Sequence, residues 1–558
     1  MVGKLFGWIG KEINGLHQAA YLLAFFALLS QILALVRDRL LAHFFGASIS
    51  LDVYYAAFRI PDFIYISVAS IVSLSVLIPF LVGKMEEGKE AEKEFISSIF
   101  SFFAILIITI SGIVFMAAPF IVPIIFPGFA GVSLDLLIKS TRILLFSPIL
   151  LGVSNLFASI TQAYRRFFVY AISPLVYNIG IISGVLFLMP VFGFEGLIYG
   201  VVLGAFLHLA VQIPFTWSTG QLPRIVWPNF FLVWKVLILS FPRTITLSIN
   251  HIAIIFLLSF ASLMASGSIA VFNFSFNLQS VPLSIIGVSY SLAAFPTLSR
   301  WYAKGEYQKF ADNISSSVRH VIFWSIPITI LFVVLRAQVV RTILGSGEFS
   351  WIDTKLTAAA LAIFAISILF QNIVVLLVRG FYAAGNTYTP LFVNIFSGVV
   401  VVVSSYFFIL LHSTQDGFRN MIEMLLRVEN VPGTVVLMLP LGYSVGLVIN
   451  GLLLWFLFER RYVKIIKNMY VSLYQSLIAS LVLGVFTYLF LQVFAGVFDL
   501  TTLPGIFLQG LCSGLVGIVA GIVMLKILHS KELDVVIYTL RNRIWKTKVV
   551  GPETEITS

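Results

Sequence analysis

The chain has 558 residues, of which 59% are hydrophobic and only 11% charged, and its mean hydropathy is +1.03. An ordinary soluble domain carries about 25% charged residues, so this composition excludes a soluble globular protein. The net charge of +11 at pH 7 does not by itself indicate nucleic-acid binding, because a membrane protein's cations must first be assigned to a side of the bilayer. A single cysteine, Cys512, excludes a disulfide framework or a cysteine metal site within the chain.

Apolar runs long enough to cross a membrane recur along nearly the whole chain. About 20 residues of helix span a hydrocarbon core of about 30 Å. The runs and their breakers predict an all-α polytopic membrane protein with about fourteen transmembrane helices. The predicted spans are roughly 19–45, 52–82, 95–126, 134–162, 168–190, 194–218, 229–263, 268–299, 311–341, 353–384, 388–412, 434–458, 470–498 and 502–529. Prolines such as Pro61 and Pro282 supply places for kinks.

Four of the segments outside the predicted spans have a composition that indicates their place. Residues 1–18 mix lysines with large apolar residues, which is typical of an interfacial helix or a frayed terminus. Residues 219–228 are predicted to be a cytoplasmic linker, and residues 530–558 a cytoplasmic tail. Residues 413–433 form the one sizeable predicted external loop, in which IEMLLRV favours a short interfacial helix.

Lysine and arginine are distributed unevenly between the two sets of connecting segments. The segments on the side of the N-terminus carry twenty-two of them, whereas the opposite side carries three, namely Arg341, Arg419 and Arg427. Cytoplasmic segments carry the excess of these residues. The distribution therefore predicts an even number of spans with both termini in the cytoplasm.

An internal repeat divides the chain into halves. PGFAGVSLD at 127–135, followed after one helix by PLVYNI, resembles GEFSWID at 347–353, followed by PLFVNI, with offsets of 220 and 216 residues. Two homologous bundles that rock on each other are a common transporter architecture. We expect an N-lobe of six helices at 19–218 and a pseudo-symmetric C-lobe of six helices at 229–458. Residues 459–529 add two further helices.

Charged residues interrupt the first two predicted spans. These residues are Arg37, Asp38, Arg39, Asp52, Arg59 and Asp62. A charge near the bilayer centre costs about 2.5 to 3.5 kcal/mol on insertion scales, so such residues normally face a protein interior or a water-filled cavity. Helical spacing puts Asp52, Arg59 and Asp62 near one stripe of the second helix, while Ser30 and Arg37 share a face of the first.

Further polar residues follow helical spacing in the opening helices of the second half. Arg243 and Asn250 are seven residues apart in the seventh span, and Asn273 and Asn277 belong to a polar stripe in the eighth. These faces predict a central cavity that suits an anionic phosphate group, because arginine offers a planar fork of donors and stays charged. The predicted substrate-binding residues are Arg37, Asp38, Asp52, Arg59, Arg243, Asn273 and Asn277, and no catalytic or metal-binding residue is predicted.

Some of these polar residues also have a structural interpretation. Arg39 and Asp52 lie near the predicted external surface, where snorkelling or helix-end charges are common. His208 and His251 are lone histidines on apolar spans, which are more often satisfied core residues than proton carriers. Arg142 fits a cavity residue and a structural hydrogen-bond donor equally well.

The sequence contains no signature of a soluble enzyme. A P-loop, an HExxH motif, paired cysteines and a nucleotide-binding glycine pattern are all missing from it. We therefore expect a transporter, not an enzyme. We also expect no cofactor, with energy coupling to the membrane potential or an ion gradient.

Several motifs, taken in order, resemble one known family. VRDRLLAHFFGAS, LDVYYAAFRIPD, EGLIYGVVLGAFLHLAVQIP and GEFSWIDTKLTAAALAIFA are similar to segments of the MurJ/MviN lipid II flippases of the MOP exporter superfamily. The resemblance runs over roughly residues 20–460. In this family the last two helices form a groove for the polyprenyl tail, and these would correspond to residues 470–529.

The resemblance implies an activity and a location. A member of this family moves lipid II, the undecaprenyl-pyrophosphate-linked peptidoglycan precursor, from the inner to the outer leaflet of the bacterial inner membrane by alternating access between two lobes. The implied partners are lipid II and membrane lipids, and cell-wall synthesis or division proteins are compatible with it, whereas nucleic acid is not. The family's Arg-Asp pair corresponds to Arg37 and Asp38, and its acidic residue at the start of the second helix to Asp52.

The chain also departs from the family pattern. Gln31, Tyr65 and Asn277 stand where the family commonly has basic residues. Arg37, Arg59 and Arg243 would then hold the pyrophosphate alone, while Asp38, Asp52, Asn273 and Asn277 orient the sugars or lock a closed state. Three alternatives remain open at this point: a flippase for another polyprenyl-linked oligosaccharide, a membrane scaffold that transports nothing, and a cation-coupled antiporter of small molecules.

Overall fold

The computed structural model of the protein describes residues 16–69, 74–164, 166–462 and 469–544. The side chains of residues 16–21, 74–76, 79, 239, 242–243 and 539–544 lie outside this description. So do the predicted interfacial segment up to residue 15 and the tail beyond residue 544. Every regular element of the described residues is helical, which confirms the all-α fold class.

The first half of the chain begins with α1. Its helices are α1 (Leu16–Phe45), α2 (Ile49–Ala57), α3 (Arg59–Ala69), α4 (Leu74–Glu87), α5 (Lys89–Ile125), α6 (Val132–Leu144), α7 (Phe146–Ala163), α8 (Phe167–Ser183), α9 (Met189–Phe192), α10 (Phe194–Ala210) and α11 (Ile213–Ser218). A π-helical turn, Gly184–Leu188, continues α8.

The second half of the chain begins with α12. Its helices are α12 (Phe230–Ser262), α13 (Ser268–Pro282), α14 (Ser289–Ala303), α15 (Tyr307–Val334), α16 (Arg336–Leu344), α17 (Trp351–Ala383), α18 (Tyr388–Thr414), α19 (Asp416–Leu426), α20 (Met438–Arg461), α21 (Tyr470–Ala495), α22 (Leu503–Ile527) and α23 (Lys531–Ile544). A π-helical segment, Leu283–Val288, follows Pro282, and a 3₁₀ turn, Thr434–Leu437, precedes α20.

Twelve helical stretches within the described residues are long and apolar enough to cross a membrane. They do not include α1 or the pieces of the second predicted span, which are the stretches that carry the intramembrane charges. The second span is predicted as one helix, but the structure breaks it at Phe58, between α2 and α3. The break has a local cause, since Pro61 has no N–H with which to bond the carbonyl of Ala57. The number of fourteen spans and the cytoplasmic termini stay predictions.

The chain groups into two compact units. The first comprises Met1–Val281, Val339–Ser367 and Gly385–Leu454, and the second Pro282–Gln338, Ile368–Ala384 and Trp455–Ser558. The predicted lobe boundaries at 19–218, 229–458 and 459–529 stay a prediction.

Close helix packing in the first unit depends on glycine. A Cβ on Gly180 of α8 would lie 2.2 Å from the Cα of Gly204, and one on Gly184 would lie 2.5 Å from the Cα of Gly200. Residues four apart on a helix share a face, so two small-residue faces meet here, on α8 with its π turn and on α10. In lipid, where helices gain little from hydrophobic burial, such close approach and its dispersion contacts hold helices together.

The core of the first unit also contains interlocking aromatic rings. Phe272 of α13 packs edge-on against Phe364 of α17, with 5.4 Å between ring centroids. Phe364 meets Tyr443 of α20 at 5.5 Å. All three side chains are buried, so α13 is fixed against α17 and α20 beside the polar residues described below.

The linker residues 219–229 form no helix and are attached to α5 by side-chain hydrogen bonds. The hydroxyls of Ser97, Ser101 and Ser98 accept from the backbone N–H groups of Arg224, Val226 and Asn229 at 3.0, 2.9 and 2.7 Å. Buried Glu92 of α5 accepts from Gln221 at 2.8 Å. Because extended backbone has unpaired N–H groups, the serines take the place of a partner strand.

In the second unit α21 packs against α15, and α22 packs against α21. Gln338 donates to Gln509 of α22 at 3.3 Å. Buried Glu532, in the first turn of α23, accepts from Ser472 of α21 at 2.5 Å and lies 3.8 Å from Arg319 of α15. The buried carboxylate of Glu532 therefore joins the start of α23 to α21 and places it beside α15.

Candidate functional site

The centre of the candidate site is the Arg37–Asp38 pair on α1. Nε and Nη2 of Arg37 donate to Oδ1 of Asp38 at 3.0 and 2.9 Å. Nη1 of Arg37 donates to Oδ1 of Asn178 on α8 at 3.2 Å. Asp38 is buried, whereas 21% of the Arg37 side chain is exposed. The neighbouring carboxylate and the amide together fix the plane of the guanidinium.

Asn277 connects this pair to α13. Its Nδ2 donates to Oδ2 of Asp38 at 2.9 Å, so both carboxylate oxygens of Asp38 are occupied. Asn277 stands where the resemblance leads one to expect a cation, and here a neutral amide takes the second oxygen. Arg37 is thus the only cation with a hydrogen bond to Asp38 among the described residues.

A second guanidinium contacts the same face of α13 one helical turn earlier. Arg59, the first residue of α3, donates through Nη2 to Oδ1 of Asn273. The Nδ2 of Asn273 donates to the carbonyl of Ile269 at 2.7 Å, which orients the amide oxygen toward Arg59. Nε of Arg59 and the hydroxyl of Tyr55, one helical turn before it in the chain, are among the buried donors without a hydrogen-bond partner in the described residues.

Asp52 lies at the N-terminus of α13. Its Oδ2 accepts from the N–H of Gly267 at 2.6 Å and its Oδ1 from the N–H of Ala270 at 2.8 Å. The first N–H groups of a helix have no partner within it, and the helix dipole favours a negative charge there. Asp52 therefore joins α2 to α13.

The two loops that follow the third helix of each repeat contact the first helix of the opposite repeat. The N–H of Gly128 donates to Oγ of Ser262, at the end of α12, at 3.2 Å. The N–H of Glu348 donates to the carbonyl of His43, near the end of α1, at 2.9 Å. All these helix ends lie at the predicted external side. Contacts between the repeats therefore close the first unit at that side.

Two further polar residues from the sequence analysis are Arg39, which has structural partners, and Arg243. Nη1 of Arg39 donates to the carbonyls of Thr342 and Ile343 at 2.7 and 3.2 Å, which are free at the end of α16. The side chain of Arg243 on α12 lies outside the described residues.

Arg142 and His208 each have a hydrogen-bond partner within the fold. Nε of Arg142 donates to the carbonyl of Phe115 at 3.0 Å, which α5 cannot satisfy because Pro119, four residues later, has no N–H. The Nδ1 of His208 lies 2.7 Å from Oγ of Ser154, as expected for a satisfied core histidine.

The contact of Asn178 with Arg37 and the unpaired donors at Arg59 and Tyr55 did not follow from the sequence. Asn178 belongs to PLVYNI, the segment that repeats as PLFVNI with Asn394. A polar residue at the same place in both copies was the available signal. The pairing of Arg37 with Asn178 joins residues 141 apart in sequence, and no spacing rule within one helix reaches that distance.

The comparisons with known proteins agree with one another. The family model described as lipid II flippase MurJ matches residues 41–508. A probable lipid II flippase MurJ from Buchnera aphidicola subsp. Schizaphis graminum is 30% identical over 377 residues, which cover 66% of this chain and 73% of the relative. A lipid II flippase MurJ from Burkholderia cenocepacia is 24% identical over 404 residues, covering 71% of this chain and 78% of the relative.

Solved structures agree in fold. A lipid II flippase MurJ in an inward closed conformation matches with a TM-score of 0.71 at 20% identity, covering 94% of this chain and all of that one. An inward-facing multidrug resistance transporter of the MATE family, in the MOP superfamily, matches with a TM-score of 0.64 at 15% identity, covering 77% of this chain and 95% of that one. These likenesses establish the fold shared with both transporters.

Proposed function

The chain belongs to the MurJ lipid II flippase family, and from this premise we propose that Arg37 and Arg59 bind the pyrophosphate of lipid II. The protein is a multi-pass protein of the bacterial inner membrane, and its function is lipid II translocation. The proposal concerns which side chains hold the cargo and how the site closes.

The observation that carries this proposal is that one donor of Arg59 and one of Tyr55 are buried without a hydrogen-bond partner among the described residues. A buried donor without a partner costs about 1 to 3 kcal/mol. Nε of Arg59 and the hydroxyl of Tyr55 are such donors. A phosphate oxygen would accept from both, and guanidinium groups match phosphate in geometry as well as in charge.

Arg37 supplies the second part of the proposed anion site. A guanidinium has five N–H groups, and three of those of Arg37 are bonded to Asp38 and Asn178. One N–H on each terminal nitrogen is then available to an oxyanion. Asp38 lowers the cost of holding Arg37 in the membrane while no cargo is bound. Asn277 donates to the other oxygen of Asp38. The carboxylate of Asp38 therefore keeps a hydrogen-bond partner when the cargo binds Arg37.

Closure of the site is assigned to Asp52. Its two hydrogen bonds to the start of α13 join the opening helices of the two repeats, and their release would let these helices separate at the predicted external side. Asn273 and Asn277, whose amides already hold Arg59 and Asp38, are proposed to take part in cargo contacts after release. Arg243 stays a proposed pyrophosphate residue on the strength of the sequence alone.

Coupling and partners complete the proposal. We expect no cofactor, and we expect the membrane potential or an ion gradient to supply the energy. One elementary charge moved through 100 mV gains about 2.3 kcal/mol. Contacts with cell-wall synthesis or division proteins would place the flippase near the site where its product is used.

The test is lipid II translocation by reconstituted Arg37→Ala protein. We expect a loss of at least about tenfold, since the arginine contributes charge-assisted hydrogen bonds worth about 1.5 to 3 kcal/mol. Arg142→Ala is the matched control, because Arg142 also lies on a predicted span but its Nε donates to a backbone carbonyl, that of Phe115. Full translocation by Arg37→Ala would overturn the role assigned to Arg37.

A further inference from the structure

Asn178 makes three hydrogen bonds in the interior of the first unit. Its Oδ1 accepts from Nη1 of Arg37 at 3.2 Å. Its Nδ2 donates to the carbonyl of Pro174 at 3.0 Å and to Oγ of Ser30 at 3.4 Å. The residue is only 6% exposed. Asn178 therefore bridges α8 to two positions on α1 that share one helical face.

The partners of Asn178 determine the direction of its amide. Arg37 can only donate and the Pro174 carbonyl can only accept. A flipped amide would place N–H against N–H at Arg37 and oxygen against oxygen at Pro174. The hydrogen-bond partners of Asn178 thus fix the orientation in which its amide oxygen faces Arg37.

The neutral character of Asn178 matters as much as its geometry. Asp38 already offsets the charge of Arg37. A second carboxylate at position 178 would neutralise Arg37 further in the state without cargo. It would also repel an incoming anion by like charge. An amide supplies an acceptor that orients the guanidinium and leaves the positive charge available.

We infer that Asn178 is a positioning residue for lipid II binding, which holds the free N–H groups of Arg37 toward the pyrophosphate. This inference rests on the proposed function, because it acts through Arg37. It adds a residue of the fifth predicted span, outside the charged stretch of the first two helices, to the residues that determine affinity for the cargo.

The internal repeat provides a matched control for Asn178. Asn394 occupies the corresponding position in PLFVNI, and its Oδ1 accepts from Nδ2 of Asn450 at 2.8 Å. Substitution of Asn394 by alanine removes a hydrogen bond of the same kind, between two amides and without an arginine. A general effect of losing a membrane-buried asparagine would appear in both variants.

The experiment is a double-mutant cycle on lipid II affinity. Binding of purified lipid II to the full-length protein in detergent is measured for the parent, Asn178→Ala, Arg37→Ala, the double variant and Asn394→Ala. We expect Asn178→Ala to weaken binding about tenfold, which corresponds to about 1.4 kcal/mol, while Asn394→Ala binds like the parent. In the Arg37→Ala background, Asn178→Ala should have no further effect.

The outcomes separate the inference from the proposal beneath it. Equal losses from Asn178→Ala with and without Arg37, or no loss in the parent background, would overturn the positioning role. Parent-like binding by Arg37→Ala would overturn the proposed pyrophosphate site itself. If the Arg37→Ala protein does not fold, Arg37→Lys replaces it in the cycle. Asn178→Asp is the second probe, and it should bind lipid II more weakly than Asn178→Ala although it retains the acceptor.

Discussion

The two loops that close the predicted external side occupy equivalent places in the repeat but make different contacts. Residues 127–131 reach the end of α12 through a serine hydroxyl that accepts from Gly128. Residues 345–350 reach the end of α1 through backbone alone, since the N–H of Glu348 donates to the carbonyl of His43. The second contact is reinforced by Arg39, which bonds the last carbonyls of α16.

Among the described residues, the end of α1 therefore has more hydrogen bonds to the second repeat than the end of α12 has to the first. A third contact, through Asp52, has no acidic counterpart in the second half, because the repeat offsets place residues 268–272 opposite it and none is Asp or Glu. The helix with more contacts carries Arg37 and Asp38. We therefore expect the end of α12 to separate at lower cost and the end of α1 to stay in place.

The largest expected effect comes from Gly347→Ala in the loop that contacts the end of α1. Gly347 has a φ of 58°, and a Cβ there would lie 2.2 Å from the carbonyl oxygen of His43. The left-handed backbone adds about 1 to 2 kcal/mol for alanine, and the overpacking adds about 1 to 3 kcal/mol. We expect a loss of roughly 2 to 5 kcal/mol, seen as a clear drop of the unfolding temperature in detergent.

Gly131→Ala separates the two causes. Gly131 has a φ of 54°, but a Cβ there would meet nothing within 4 Å. Only the backbone term of about 1 to 2 kcal/mol should appear. If Gly131→Ala lowered the unfolding temperature as much as Gly347→Ala, the contact with His43 would contribute nothing to closure.

Gly128→Ala should lose an amount of stability between those of Gly347→Ala and Gly131→Ala. A Cβ on Gly128 would lie 1.7 Å from the carbonyl oxygen of Ser262, so the loop must move away from α12. The expected cost is about 1 to 3 kcal/mol, with no contribution from a left-handed backbone. If the α12 contact is the weaker one, translocation should tolerate this change better than Gly347→Ala, which reconstituted protein can show.

Substitution of Asp52 tests the contact that has no acidic counterpart in the second repeat. Asp52→Ala leaves the N–H groups of Gly267 and Ala270 without their side-chain acceptor, at a cost of about 0.5 to 2 kcal/mol for a lost helix cap. Asp52→Asn keeps one oxygen acceptor and should therefore lose less stability than Asp52→Ala. The measurement is the unfolding temperature of the three proteins, and equal values for Asn and Ala would mean that the negative charge contributes all of the effect.

Hydropathy predicted the helical fold, and helical spacing predicted which polar residues share a face of one helix. The apolar runs gave the helices, and spacing placed Asp52 and Arg59 toward a common neighbour, which the structure identifies as α13. The repeat was visible in two short motifs. These features are local, or periodic along one helix, and they can therefore be predicted from the sequence.

Contacts between distant helices were not predictable in this way. Arg142 satisfies a carbonyl that Pro119 leaves free, and the proline is visible in the sequence, but the identity of its partner depends on how α5 and α6 pack. Asn178 and Arg37 are likewise paired by the packing of α8 on α1. The capping role of Arg39 needs the end of α16 beside it, about three hundred residues later in the chain.

Ser262→Ala gives the smallest expected effect and tests the weaker contact most directly. The hydroxyl accepts from Gly128 and donates to the carbonyl of Ser259 at 2.7 Å. A hydrogen bond contributes about 0.5 to 1.5 kcal/mol, and the exposed position favours the lower end because water can replace the lost partner. Ser133→Ala is the control, because its hydroxyl bonds Ala130 within the same loop and does not reach α12. Similar small shifts in unfolding temperature for both variants, with faster translocation for Ser262→Ala alone, would identify the α12 contact as the one that opens. A large loss of stability for Ser262→Ala would instead make the two closures equal and remove the proposed asymmetry.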